Sequence, residues 1–110
     1  MGTIKSSREI DTVFREARRS AHPIIILLAT NTPQGRGQAG RVAFIAGKKL
    51  GNAVVRNRSK RVLREATRRC GGPWDGYDTL VIARPATRDA SPEELDNALL
   101  AGLIQLGIAK

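Results

Sequence analysis

The sequence predicts an α/β (α+β) two-layer sandwich with elements in the order α-(β)-β-β-α-β-α. Three observations carry that expectation. Three segments repeat apolar residues at three- and four-residue spacing behind helix-capping residues. Three short apolar runs rich in β-branched residues are interleaved with them as strands. Gly-, Pro- and Asn-rich stretches separate the two kinds of pattern. At 110 residues, with 41% hydrophobic content, the chain is expected to be one domain spanning residues 1–110. Only 4% of residues are aromatic, so the core must come from Ile, Val, Leu and Ala.

Ser6-Ser7-Arg8-Glu9 fits a capping box, with Ser6 as N-cap and Glu9 three residues on. Ile10, Val13, Phe14 and Ala17 then share one face of a helix ending near Arg18, and Arg15, Arg18 and Arg19 gather where the helix dipole favours positive charge. A link at 20–23, with a minor strand near 19–21, leads to 24–29, a strand expected to be buried on both faces. The polar loop 30–40 contains Gly35-Arg36-Gly37-Gln38-Ala39-Gly40, which matches GxGxxG. A strand at 41–46 follows it, so no helix N-terminus awaits a pyrophosphate, and the stretch reads as a hairpin loop. After Cys70-Gly71-Gly72-Pro73 and a turn at 74–77, the run 78–83 is another buried strand and 85–90 a loop. Ser91-Pro92-Glu93-Glu94 supplies an N-cap, a proline at the first helical position and a capping glutamate. Leu95, Ala98, Leu99, Gly102, Leu103 and Leu106 form the apolar face of that last helix.

Charge is distributed far less evenly than hydrophobicity. Of 19 basic and 10 acidic residues, ten and one lie between Arg41 and Arg69, leaving nine against nine in the rest of the chain. The formal excess of +9 therefore sits in one strand–loop–helix unit, a footprint for a polyanion. From Asn52 the period is helical. Val55, Ser59, Val62, Leu63, Ala66 and Cys70 fall on one face, and Asn57, Lys60, Arg61, Arg64 and Arg68 on the other. Arg56 and Arg58 bracket the polar face, and Val54 lands on it out of pattern, implying an irregular first turn or cover from another element. The buried face is too poor in bulky apolar residues for a membrane-surface helix, and the run 24–29 is too short to span a bilayer. Arginine richness favours phosphates, which the guanidinium fork grips through two donors.

The string Lys48-Lys49-Leu50-Gly51-Asn52-Ala53-Val54-Val55-Arg56-Asn57-Arg58-Ser59-Lys60-Arg61-Val62-Leu63-Arg64-Glu65 resembles the signature of the bacterial ribonuclease P protein subunit. The resemblance implies a left-handed βαβ crossover, similar to the ribosomal-protein-like RNA-binding fold, with the Arg56-Asn57-Arg58 edge in solvent beside the Lys48-Lys49 loop. It also implies a non-catalytic subunit of an endoribonuclease, a hydrolase whose RNA subunit does the chemistry with RNA-held Mg²⁺. The protein itself would bind no small-molecule cofactor or metal. Its partners would be the catalytic RNA and precursor tRNA, including the 5′ leader whose removal gives the mature tRNA end. Lys48, Lys49, Asn52, Arg56, Asn57, Arg58, Lys60, Arg61, Arg64 and Arg68 become the expected RNA contacts. The family's leader cleft, formed by the first helix and the sheet, would be lined here by Ile10, Phe14 and Leu28, two of them aliphatic where relatives often stack aromatics. For Phe14 ordinary core packing competes with this reading, Phe44 reads as core, and Trp74 either stacks on RNA or covers the core edge. Lys5 is the only basic residue before Ser6, which weakens any contact made there.

No catalytic constellation is visible. His22 precedes Pro23 and reads as a surface residue; Asp75 with Asp78 lies at a turn, and Glu93 with Glu94 is explained by capping. Cys70 is alone and reads as an inert thiol, and with no resemblance to a secretion signal the expected setting is the reducing cytoplasm, with no membrane partner. The alternative from another class is a structural ribosomal-type RNA-binding protein with no role in tRNA processing.

Overall fold

The computed structural model describes residue 4, residues 7–32 and residues 39–109. Its elements are α1 (Ser7–Glu16), β1 (Arg18–Ala21), β2 (Ile25–Asn31), β3 (Arg41–Ile45), α2 (Ala53–Arg69), β4 (Tyr77–Ala83) and α3 (Pro92–Gln105). Short 3-10 segments at Lys48–Leu50 and Pro85–Asp89 join them, the second lying within the stretch expected to be plain loop. The four strands form one sheet in the order β1-β2-β4-β3. β2 is antiparallel to both neighbours, whereas β3 and β4 run parallel, with Val42 opposite Thr79 and Phe44 opposite Val81. A parallel pair cannot be joined by a tight turn, so the chain must cross over, and α2 is that crossover.

Side-chain alternation divides the core in two. Ile25, Leu27, Ala29, Val42, Val81 and Ala83 point to one face, where they meet Leu63 and Ala66 of α2 and Leu95, Leu99 and Leu103 of α3. Leu28, Ala43 and Leu80 point to the other, against Val13 of α1 and Ile4, with Ile10 and Ala17 half-buried beside them. The sheet with α2 and α3 makes the expected sandwich, and α1 covers the opposite face, which is why β2 is apolar on both sides.

The helix ends follow local chemistry where they are described. Asn52 caps α2, its side-chain oxygen accepting from the Val55 N–H at 3.0 Å, and Gly71, at φ 87°, takes the left-handed position that ends the helix. Ser91 and Glu94 form the expected reciprocal box on α3, and acceptance from the Ser91 N–H holds the Glu94 carboxyl below its ordinary range. The Ser6 cap, Lys5 and most of the glycine-rich loop lie outside the described residues. Gly40, the last glycine of that loop, has a packing role, since a Cβ there would come within 1.9 Å of the Trp74 carbonyl oxygen. Arg18 and Arg19 are not helix residues but strand neighbours on opposite faces, and Arg18 donates to the Leu106 carbonyl at 2.7 Å, tying β1 to the end of α3.

One polar cluster fastens α1 to the sheet. Arg41 on β3 bonds Glu9 of α1 and lies 3.3 Å from Asp78 of β4, whose residue is only 2% exposed. Glu9 thus takes part in a tertiary ion pair; the capping expected of it involves Ser6, outside the described residues. The two carboxylates, Glu9 first, push the Arg41 pKa above its ordinary value. Arg41→Ala should lower unfolding free energy by about 2 kcal/mol, because it removes charge-assisted hydrogen bonds to two carboxylates, one of them buried. Arg41→Lys should recover part of the loss in urea titrations, and an unchanged midpoint for the alanine variant would rule out a structural role for the cluster.

Candidate nucleic-acid interface

Alternation has already committed the inner side of α2 to the core: Ser59, Leu63, Ala66 and Thr67 are buried, with Val55, Val62 and Cys70 half-buried around them. At 100° per residue the basic side chains must then distribute over the remaining arc. Asn57, Arg61 and Arg68 occupy its outer ridge. Arg56, Lys60 and Arg64 form the flank toward β3, where the Arg64 guanidinium lies 5.5 Å from the centre of the half-buried Phe44 ring. Arg58 and Arg69 occupy the other flank, toward α3. Val54 is 75% exposed in the middle of this surface, in a regular first turn with nothing covering it, so neither expected explanation applies. The 3-10 turn at Lys48–Leu50 leads directly into the helix, with Leu50 buried as its anchor and both lysines exposed.

Carboxylates reach few of these cations. Arg61 pairs with Glu65 at 3.2 Å on the exposed surface, a link that exchanges readily with solvent or another anion. Arg69 is tied to Asp96 of α3 at 2.9 Å, and that carboxylate raises its pKa. Arg41, counted with the basic stretch in sequence, belongs to the fold. Lys48, Lys49, Arg56, Arg58, Lys60, Arg64 and Arg68 have no ion-pair partner among the described residues. Arg56 is half-buried, and its Nε is enclosed without a hydrogen-bond partner. Asn52 caps the helix with its side-chain oxygen and keeps its amide NH₂ for a ligand.

The expected leader-cleft residues behave differently from one another. Phe14 is 49% exposed on α1, so the core reading fails, while Ile10 is half-buried and Leu28 is 6% exposed beneath the helix. Trp74 lies against the core edge and donates from Nε1 to the Cys70 carbonyl at 3.3 Å. His22 is a clip in the β1–β2 turn, its Nδ1 accepting from the Ile24 N–H at 3.1 Å. Asp75 is exposed and Asp78 buried with Arg41, so the pair seen in sequence is split. Burial raises the Cys70 pKa, with the Asp96 carboxylate adding to the effect, which keeps the thiol protonated and unreactive. Among the described residues no three His, Cys, Asp or Glu side chains are grouped to hold a metal ion, and no helix is long and apolar enough to cross a membrane.

A family model described as Ribonuclease P matches residues 2–107. The chain belongs to the ribonuclease P protein family. The ribonuclease P protein component of Brevibacillus brevis is 35% identical over 102 residues, covering 88% of this chain and 76% of that one. The component from Symbiobacterium thermophilum is 39% identical over 111 residues, covering 93% and 92%. The fold matches that of the Staphylococcus aureus RNase P protein with a TM-score of 0.84 at 24% identity, over 100% of this chain and 99% of that one. A Staphylococcus aureus RNase P protein mutant with defective mRNA degradation activity matches with a TM-score of 0.80 at 27% identity, over 94% and 86%. As a family member the chain is a protein subunit of ribonuclease P, the RNA-processing endoribonuclease, and its partner is RNA.

Residue-by-residue, sequence reading missed Arg88, which the second 3-10 segment brings toward the start of α2, where it donates to the Leu50 carbonyl at 3.4 Å. A lone arginine in a loop carries no periodic signal that could have placed it. If about six phosphates of single-stranded RNA are neutralised, the slope of log affinity against log salt should be near −4. Arg58→Ala or Lys60→Ala should flatten it by about 0.7, the share of one phosphate. Arg69→Ala, whose guanidinium is already held by Asp96, should leave the slope nearly unchanged in the same filter-binding series.

Proposed function

We propose that this chain is the non-catalytic subunit of ribonuclease P: it binds the catalytic RNA and the 5′ leader of precursor tRNA, and the RNA cuts. The unpaired cationic surface of α2 supports this reading most directly, because a solubility face would be compensated by nearby acids or scattered over the chain. Lys48, Lys49, Arg56, Arg58, Lys60, Arg64 and Arg68 would supply phosphate contacts; Arg61 joins them by exchanging Glu65 for phosphate, and Asn52 and Asn57 add hydrogen bonds. Exposed Phe14 offers a ring face to an unpaired leader base, with Arg19 projecting on the same side of the sheet. Mg²⁺ held by the RNA would supply the metal chemistry, and the protein's positive charge would lower the concentration of Mg²⁺ needed. The setting would be the cytoplasm, consistent with a lone cysteine, Cys70, that has no disulfide partner in the chain.

Family membership displaces the ribosomal alternative. The mRNA degradation activity ascribed to the Staphylococcus aureus protein favours one second reading, that the protein cuts RNA by itself. Reconstitution with catalytic RNA and a series of leader lengths separates the two. The protein should stimulate precursor cleavage at limiting Mg²⁺ and near-physiological salt, more strongly with longer leaders, and should cut nothing alone. Absence of stimulation would refute the cofactor role, and cleavage by the purified protein would establish the second reading.

A further inference from the structure

The flank of α2 that carries Arg58 does not close against its neighbours. It forms one wall of a cleft of about 430 Å³, within the range of about 300–1,000 Å³ typical of small-ligand sites. Val55, Ser59 and Val62 line the helix side, and Ala90, Pro92 and Leu95 the side made by the end of the second 3-10 segment and the start of α3. Val55, Val62, Ala90, Pro92 and Leu95 give the cleft an apolar portion. Charged groups line it as well: Arg58, Arg69 and Arg88 with Asp89 and Glu65.

These five charged groups are not equivalent, and Arg69 is already held by Asp96. Glu65 already accepts from Arg61, and Arg88 uses one nitrogen on the Leu50 carbonyl while retaining its remaining donors. Neither Arg58, Arg88 nor Asp89 has an ion-pair partner among the described residues. Two arginines without counter-ions, set beside an apolar slot that also holds a carboxylate, match a ligand with a phosphate, a flat apolar body and an edge of N–H donors. A phosphate alone would not use the slot, and an acidic peptide would be repelled by Asp89 and Glu65.

We propose that the cleft takes one unpaired nucleotide of the bound RNA, with its phosphate between Arg58 and Arg88 and its base between the α2 and α3 walls. Asp89 selects the base. Guanine carries N1–H and N2–H on one edge and can meet both carboxylate oxygens, whereas uracil offers a single N–H. The assignment rests on the RNA-binding reading above and adds to the backbone contacts of α2 a place where base identity is felt.

The test uses the full chain, isotopically labelled, titrated with GMP, UMP and inorganic phosphate. GMP should shift amides on both walls, at 55–65 and 87–95, and bind about tenfold more tightly than UMP, the discrimination of one good bidentate contact. Asp89→Asn, at an exposed position, should erase that preference. Ala90→Leu should fill the slot, abolish the GMP response and weaken binding to the catalytic RNA by about tenfold. Phosphate shifting the same amides with the same affinity as GMP would reduce the cleft to a plain anion site and overturn the proposal. A folded Ala90→Leu protein, verified by its melting temperature, that binds RNA as the parent does would also overturn it. The mononucleotide titration involves no ribonuclease P RNA, so its outcome is independent of whether cleavage is stimulated.

Discussion

The structure depends on the parallel pairing of β3 with β4. Two neighbouring strands that run the same way need a connection that returns along the sheet, and here a 17-residue helix makes it. The crossover must bury one side to hold the strands' core face and must leave its other side outside. Placing most of the chain's excess positive charge on this element makes that unavoidable exposure a strongly cationic surface. The residues that interrupt the inner side, Ser59 and Thr67, are small enough to keep the helix close to the sheet, and Ser59 returns its hydroxyl to the Val55 carbonyl at 3.0 Å.

Apart from Glu65, which pairs with Arg61, the few acids near this surface do a different job from neutralisation. Asp78 and Glu9 hold Arg41, joining α1 to two strands, and Asp96 holds Arg69, joining α2 to α3. Each pair lies at a seam between elements and so fixes their relative placement. The cations away from the seams remain available. A surface of this kind is held slightly above its electrostatic minimum by mutual repulsion, and a polyanion relieves that repulsion on binding, which is why salt dependence reports on it so directly.

The two sides of the sheet have separate tasks. The α2–α3 side holds the larger core and the basic surface, while α1 sits on a smaller cluster of Ile4, Val13, Leu28, Ala43 and Leu80 and leaves Phe14 outside it.

Sequence by itself determined the elements, their order and the family, because each rests on local chemistry: period in α2 and α3, the Ser91–Glu94 box, β-branched runs, and the ordered basic string from Lys48 to Glu65. It also identified which faces of α2 and α3 are apolar, since helical phase follows from spacing alone. What only the tertiary structure decided are the relations between residues far apart in the chain. Arg41 finds Glu9 and Asp78, Arg69 finds Asp96, and Arg88 and Asp89 come to rest beside Arg58 across the α2–α3 cleft. Phe14 proved exposed although its spacing fits the buried stripe of α1, because the narrow cluster under that helix is filled by Ile10, Val13 and Ala17. Ion pairing and cleft formation depend on distances through space, set by how strands pair and helices dock, and no local pattern encodes those distances.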